Sequence, residues 1–222
     1  STSSPVQVGS DTTWTSNLGA GIEYTFGIKT DGTLWAWGKN NYGQLGHNST
    51  TVYSSPVQIP GTTWSKVATG SFESTGAIKT DGTLWVWGYN FYSSPKQIPG
   101  PTWAQIRFNQ KTTLATKTDG TMWSWGSTSY GQMGTNQSGS STYVESPVQI
   151  PGTSWSTSND HMGGSSWTFA AIRTDGTLWS WGHAGGGSLG QNNTTQRSSP
   201  VQIGSDTDWH KLQGNSGGAF IA

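Results

Sequence analysis

Polar and apolar side chains alternate most regularly in Thr33-Leu-Trp-Ala-Trp37, where Thr33, Trp35 and Trp37 share one face of an extended chain and Leu34 and Ala36 the other. Both faces carry apolar groups, so the strand is expected to lie between two other sheets. It belongs to a phrase, Lys29-Thr-Asp-Gly-Thr-Leu-Trp-Ala-Trp-Gly38, that returns as Lys79 to Gly88, Lys117 to Gly126 and, led by arginine, Arg173 to Gly182. Asp-Gly between alternating runs signals a hairpin, because a type I′ turn needs positive φ at both central positions and these residues tolerate it. The phrase therefore reads as the tip and second arm of a β-hairpin. Its first arms are Thr25-Phe-Gly-Ile28, Thr75-Gly-Ala-Ile78 and Phe169-Ala-Ala-Ile172.

A second marker, Ser4-Pro-Val-Gln-Val8, recurs at Ser55 to Ile59, Ser94 to Ile98, Ser146 to Ile150 and Ser199 to Ile203. Its prolines, at 5, 56, 95, 147 and 200, are spaced by 51, 39, 52 and 53 residues, which sets repeats starting near 3, 54, 93, 145 and 198. Periods of this size built from short strands indicate propeller blades or another stacked array. Proline cannot donate to a ladder, so the Ser-Pro-Val-Gln strand is expected at the outer edge of its blade. A tryptophan follows each marker, at 14, 64, 103, 155 and 209, and then an apolar position, Leu18, Val67, Ile106 or Leu212. Ser158 breaks that pattern in the fourth copy. This segment reads as the strand nearest the axis, where Gly70 lets neighbouring backbones approach. No helical periodicity of useful length is found. The expected fold is all-β: a β-propeller of four-stranded antiparallel blades, five in number with the last incomplete, forming one domain over residues 1–222.

The string Trp37-Gly-Lys-Asn-Asn-Tyr-Gly-Gln-Leu-Gly46, preceded by Asp-Gly-Thr-Leu-Trp and followed by Ser-Pro-Val-Gln, resembles the repeat of the regulator of chromosome condensation family of β-propellers, in a bacterial or phage version. Weaker copies of its Gly-Gln-Leu-Gly loop stand at Gly131 to Gly134 and Gly187 to Gly190, while the second repeat runs straight from Gly88 to Tyr92-Ser-Ser-Pro95. That deletion accounts for the short period. The family includes an exchange factor for a small GTPase, a plant ultraviolet photoreceptor and secreted inhibitors of β-lactamase, so the resemblance implies a binding surface rather than one activity. The photoreceptor's Gly-Trp-Arg-His-Thr motif is absent, and the Trp pairs read as core. Familiar members close seven blades, whereas this chain has four cycles and a fraction. The expected closure pairs Pro5 to Val8 with the strand around Ala219 to Ala222. A truncated array or strand exchange between chains is the alternative.

Composition narrows the function further. Hydrophobic residues make up only 31%, but each of the 14 tryptophans can bury roughly 150–250 Å². Eleven basic and eleven acidic residues give zero formal charge, which leaves no electrostatic footprint for nucleic acid. The absence of cysteine excludes disulfides and thiolate chemistry. No apolar run approaches the roughly 20 residues that span a bilayer, so no membrane insertion is expected. No signal peptide or initiator Met precedes Ser1, so the chain is read as a processed form or a segment of a longer one. A surface of Ser, Thr, Asn, Gln and Gly leans toward an extracellular or virion-surface setting.

Asp31, Asp81, Asp119 and Asp175 stand one to a turn on separate blades, without the clustered oxygens that calcium needs, and are read as turn residues. Their basic neighbours Lys29, Lys79, Lys117 and Arg173 are expected to make exposed contacts of little energy. His47, His161, His183 and His210 share no metal spacing, and no nucleophile elbow, phosphate loop or paired carboxylate motif occurs. No metal, cofactor or catalytic residue is expected. What remain are polar loops, Gly38 to Tyr53, Gly126 to Tyr143 and Gly182 to Arg197, which leave equivalent strands and should emerge on one side. Leu45 and Met133 are expected to pack against the next blade. The partner-binding candidates are Tyr42, Gln44, Tyr92, Tyr130 and Gln132. The expected function is a non-enzymatic binding or assembly propeller with a protein partner or itself; the alternative is a lectin-like propeller with a glycan site on each blade.

Overall fold

The computed structural model describes residues 4–70, 72–139, 142–214 and 220–221. Blade 1 comprises β1 (Trp14–Ala20), β2 (Tyr24–Lys29), β3 (Leu34–Gly38) and β4 (Tyr53–Ile59). Blade 2 follows as β5 (Trp64–Thr69), β6 (Ser74–Lys79), β7 (Leu84–Gly88) and β8 (Lys96–Ile98), and blade 3 as β9 (Trp103–Phe108), β10 (Thr112–Lys117), β11 (Met122–Ser127) and β12 (Tyr143–Ile150). Blade 4 holds β13 (Met162–Gly164), β14 (Thr168–Ile172), β15 (Leu178–Gly182) and β16 (Arg197–Gln202). A fifth sheet contributes β17 (Gln213–Gly214) and β18 (Phe220–Ile221). Every described sheet is antiparallel and runs in chain order, and in blades 1 to 4 the strand formed by the proline marker is outermost. The markers that open the second to fifth sequence repeats thus supply the last strand of the preceding blade, in blades 1 to 4.

The alternating faces pack as their pattern demands. Phe26, Ile28, Leu34 and Ala36 of blade 1 meet Trp64, Ala77 and Trp87 of blade 2 in one buried cluster. Equivalent clusters join blade 2 to blade 3 through Trp103 and Trp125, and blade 3 to blade 4 through Trp155 and Trp181. Trp87, Trp125 and Trp181 are fully buried. Trp37 is only half-buried and Leu18 is 62% exposed, because among the described residues no blade covers that face of blade 1. Gly70 does admit its neighbour: a Cβ there would lie 2.8 Å from that of Phe108.

Two local features depart from expectation. In the Asp-Gly turns only the glycine is left-handed, as at Gly32 with φ 78°, and its N–H donates to the Lys29 carbonyl at 2.9 Å. This is a type I turn over Thr30 and Asp31 followed by a glycine bulge, not a type I′ turn. Asp31 acts through its carboxylate, whose Oδ1 accepts the Thr33 N–H at 2.9 Å and the Thr33 hydroxyl at 2.7 Å. The same pattern holds at Asp81, Asp119 and Asp175.

The second departure is at the ends. Pro5 to Val8 form no strand and are exposed, so the described residues show no closure by that segment; Ala219 and Ala222 of its expected partner lie outside them. In blade 4 the inner strand shrinks to Met162–Gly164, and the residues around Ser158 loop out, as the missing apolar position there foreshadows. Among the described residues the helical content is one 3₁₀ turn, Gly185–Gly187, and no helix is long and apolar enough to cross a membrane.

Candidate functional site

The loop from β3 to β4, with its equivalents from β7, β11 and β15, leaves the same end of each blade. Each departs from the glycine that closes the repeated phrase. Gly38 has φ 104°, and a Cβ there would lie 2.3 Å from the Glu23 carbonyl, which accepts the next residue's N–H at 2.7 Å. A side chain would break that bond, so only glycine fits. Gly88, Gly126 and Gly182 repeat the arrangement against residues 73, 111 and 167.

Within the blade 1 loop, Gln44 is wholly buried. Its side-chain oxygen accepts the Tyr42 N–H at 2.9 Å, while its main-chain carbonyl accepts Trp87 Nε1 at 2.8 Å and the Thr75 hydroxyl at 3.1 Å. Gln132 repeats this in blade 3, holding the Tyr130 N–H at 2.7 Å and receiving Trp181 Nε1 at 3.0 Å. Direct partner contact by Gln44 and Gln132 is therefore corrected: these side chains fix the loop and are unavailable to a partner. Leu45 and Met133 are buried as expected.

The tyrosines stand outside. Tyr42 is 49% exposed, Tyr92 52% and Tyr130 39%. Each is braced by neighbouring side chains. Tyr42 meets the Tyr89 ring edge-on at 5.0 Å, Tyr130 packs on Trp167 and His183, and Tyr92 carries Lys96 Nζ at 4.0 Å over its ring. Rings held on a fixed backbone present contact area with little freedom left to lose.

The opposite end carries a motif that sequence reading missed. The strand register places Trp14 directly across from Lys29, and likewise Trp64 from Lys79, Trp103 from Lys117 and Trp155 from Arg173. Each cation then sits between that indole and the one in its own phrase; Lys29 Nζ lies 5.0 Å from the Trp14 ring and 3.9 Å from that of Trp35. These contacts are half-buried cation–π clamps, not the exposed pairs expected. Lys29 also bonds Asp11 at 2.6 Å, which with the Thr13 donors holds the Asp11 carboxyl far below its usual value. The second indole of each clamp donates to the turn threonine, as Trp35 Nε1 does to Thr33 at 2.8 Å. Turn, cation and indole thus form one unit, repeated four times, whose role is structural.

Between the inner strands β1, β5 and β9 lies an open cleft of about 390 Å³, lined in part by Lys66, Gln105 and Arg107. Both cations are engaged: Lys66 Nζ donates to the Ala104 carbonyl at 2.6 Å and Arg107 to the Asn159 carbonyl at 2.5 Å. Burial, and then the neighbouring Arg107, lowers the Lys66 pKa. Among the described residues no three His, Asp or Glu side chains come together to hold a metal.

Blades of four antiparallel strands, stacked face to face and joined by interstrand loops, define a β-propeller. The repeat model of the regulator of chromosome condensation matches residues 31–75 and 119–168, and a second model of that repeat matches 16–44. Repeats of this family thus occupy residues 16–75 and 119–168 of the chain. Solved structures agree on the fold. Prp20p from Saccharomyces cerevisiae, whose structure was described with its binding properties to Gsp1p and histones, is 18% identical, with a TM-score of 0.79 over 96% of this chain and 56% of its own. Yeast RCC1 (Prp20) in a structure with bound Kap60 is similar at 20% identity and a TM-score of 0.75, over 91% of this chain and 52% of its own. Human WBSCR16 is similar at 19% identity and a TM-score of 0.73, covering 90% and 55%. The chain thus spans a little over half the length of these structures. No curated protein sequence matches it.

Proposed function

We propose that this chain is a non-enzymatic protein-interaction module that binds its partner through the tyrosine-tipped loops of one rim. The observation that carries this reading is the division of labour in those loops. Gln44 and Gln132 are buried and pin the backbone, while Tyr42 and Tyr130 two residues earlier stand half-exposed. Tyrosines on fixed backbone are the anchors of protein-recognition surfaces. The structures of Prp20p, described with Gsp1p and histones, and of yeast RCC1 with Kap60 support the class of partner. A surface in which uncharged polar groups outweigh charge supports an extracellular or virion-surface setting.

The test compares the parent with the triple variant Tyr42→Ala, Tyr92→Ala, Tyr130→Ala in affinity capture of proteins and on a glycan array. The expected result is a defined protein retained by the parent and lost by the variant at unchanged melting temperature. Equivalent weak glycan sites, one per blade in calorimetry, would establish the lectin reading instead.

A further inference from the structure

Blades 1 and 3 each send a loop across the seam to the next blade, and blade 2 does not. From blade 1, the Gln44 carbonyl accepts Trp87 Nε1, Leu45 fills the seam, and the Asn48 N–H donates to the Ser93 carbonyl at 2.8 Å. From blade 3, the Gln132 carbonyl accepts Trp181 Nε1, Met133 is buried, and the Asn136 N–H donates to the Ser198 carbonyl at 2.7 Å. The corresponding receivers on blade 3 are Trp125 and Glu145. The link from Gly88 to Ser94 lacks the segment that would reach them.

Trp125 Nε1 is buried without a hydrogen-bond partner. Trp64, Trp103, Trp155 and Trp209 share that state, but they are the tryptophans that follow each marker, whereas both described equivalents of Trp125 that a loop covers are bonded. Glu145 and Ser146 are exposed, while Ser93, Ser94, Ser198 and Ser199 are half-buried beneath their loops. In the place of the missing loop lies a groove of about 610 Å³, lined among others by Phe91, Tyr92, Lys96, Tyr143 and Glu145. That volume falls within the roughly 300–1,000 Å³ of ligand clefts. Phe91 packs partly buried against the cluster that holds Trp125.

We propose that this groove receives a loop from a partner polypeptide with the chemistry of the chain's own Gly-Gln-Leu-Gly turn. This rests on the protein-interaction reading and gives it a place and a ligand class. The occupant supplies what the loops of blades 1 and 3 supply: a main-chain carbonyl for Trp125 Nε1, an aliphatic side chain for the seam, and an N–H toward the Glu145 backbone. Phe91 turns outward to admit it. Lys96 and Glu145, of opposite sign, line the opening and suit an uncharged segment.

The probe is a cyclic peptide of sequence Asn-Asn-Tyr-Gly-Gln-Leu-Gly-His-Asn, titrated into the full chain labelled with ¹⁵N at tryptophan. A saturable shift of the Trp125 indole resonance is expected, assigned by its loss in Trp125→Phe. Phe91→Ala should tighten binding several-fold by vacating the seam. A chimera carrying residues 42–48 in place of Phe91 and Tyr92 should abolish it, since its own loop occupies the groove; should the chimera fail to fold, the Phe91→Ala result decides. No shift at millimolar peptide, or a shift produced by oligosaccharides and not by peptide, overturns the proposal. If protein capture through Tyr42 and Tyr130 persists while the peptide fails, this inference alone falls. If capture is also insensitive to the tyrosines, the broader reading falls with it.

Discussion

The indole nitrogen of Trp87 donates to the main-chain carbonyl of Gln44 at 2.8 Å, so the residue that shapes a loop of blade 1 also caps the buried tryptophan of blade 2. Loop and seam are therefore one cooperative unit, and a change in either is felt in both.

Truncating Trp87 removes a fully buried ring and leaves the Gln44 carbonyl without that donor. Trp87→Ala should destabilise by about 3–5 kcal/mol. Trp37→Ala, at a half-buried face, should cost clearly less. Chemical denaturation of the two variants checks the order; equal losses would mean that blade 1 is covered on both sides in solution.

Lys79 lies 4.8 Å from the Trp64 ring and 4.7 Å from that of Trp85. Lys79→Met keeps most of the packing and loses the charge, with an expected cost of about 0.5–2 kcal/mol. Lys79→Arg should be close to neutral, because Arg173 already fills the equivalent clamp of blade 4. Thermal melts of both variants distinguish charge from bulk.

Asp31, Asp119 and Asp175 are held below the ordinary carboxylate value chiefly by the hydroxyl of the threonine two residues on, and Asp81 chiefly by the Thr83 N–H. A lowered folded-state pKa means that ionisation stabilises the fold above the unfolded value near pH 4, and that the contribution disappears as pH falls through the lower folded values. Replacing all four by Asn keeps an acceptor oxygen and removes the titration. Melting temperature against pH should drop more steeply below about pH 4 in the parent than in the variant, and binding at neutral pH should be unchanged.

Gly82 combines φ 78° with a backbone nitrogen, that of Thr102, 3.0 Å from where a Cβ would stand. Gly82→Ala should cost about 1–2 kcal/mol from the left-handed conformation alone. Crowding against backbone can only add to this. A variant as stable as the parent would show that the turn relaxes to another type.

Strand order, the outer proline strand and the tryptophan seams were legible in the sequence because each follows from a period, of two within a strand and of roughly fifty between blades. Four copies of one phrase made the pattern hard to mistake. The cation clamps were not legible. They require Trp14 and Lys29, fifteen residues apart, to fall opposite one another across a strand pair with an irregular register, which no local pattern encodes. Gln44 and Gln132 misled for a related reason: a glutamine in a Gly-rich loop reads as solvent-facing until its side chain is seen bonded to the backbone two residues earlier. The groove at blade 2 was half visible, since the 39-residue spacing marks the deletion but not the unpaired Trp125 that it leaves behind.

Adjacent blades are also tied by bonds that involve no side chain: Trp64 N–H to the Gly32 carbonyl, Trp103 to Gly82, Trp155 to Gly120 and Trp209 to Gly176, at 2.9, 2.9, 3.0 and 3.2 Å. Such ties survive almost any substitution that spares the turn, so the pitch of the stack is inherited separately from the chemistry of its surface. Lineages can drift until fewer than one residue in five is shared, as with Prp20p at 18%, and still superpose. Loop residues such as Tyr42 and Tyr130 can then change without altering how the blades stack.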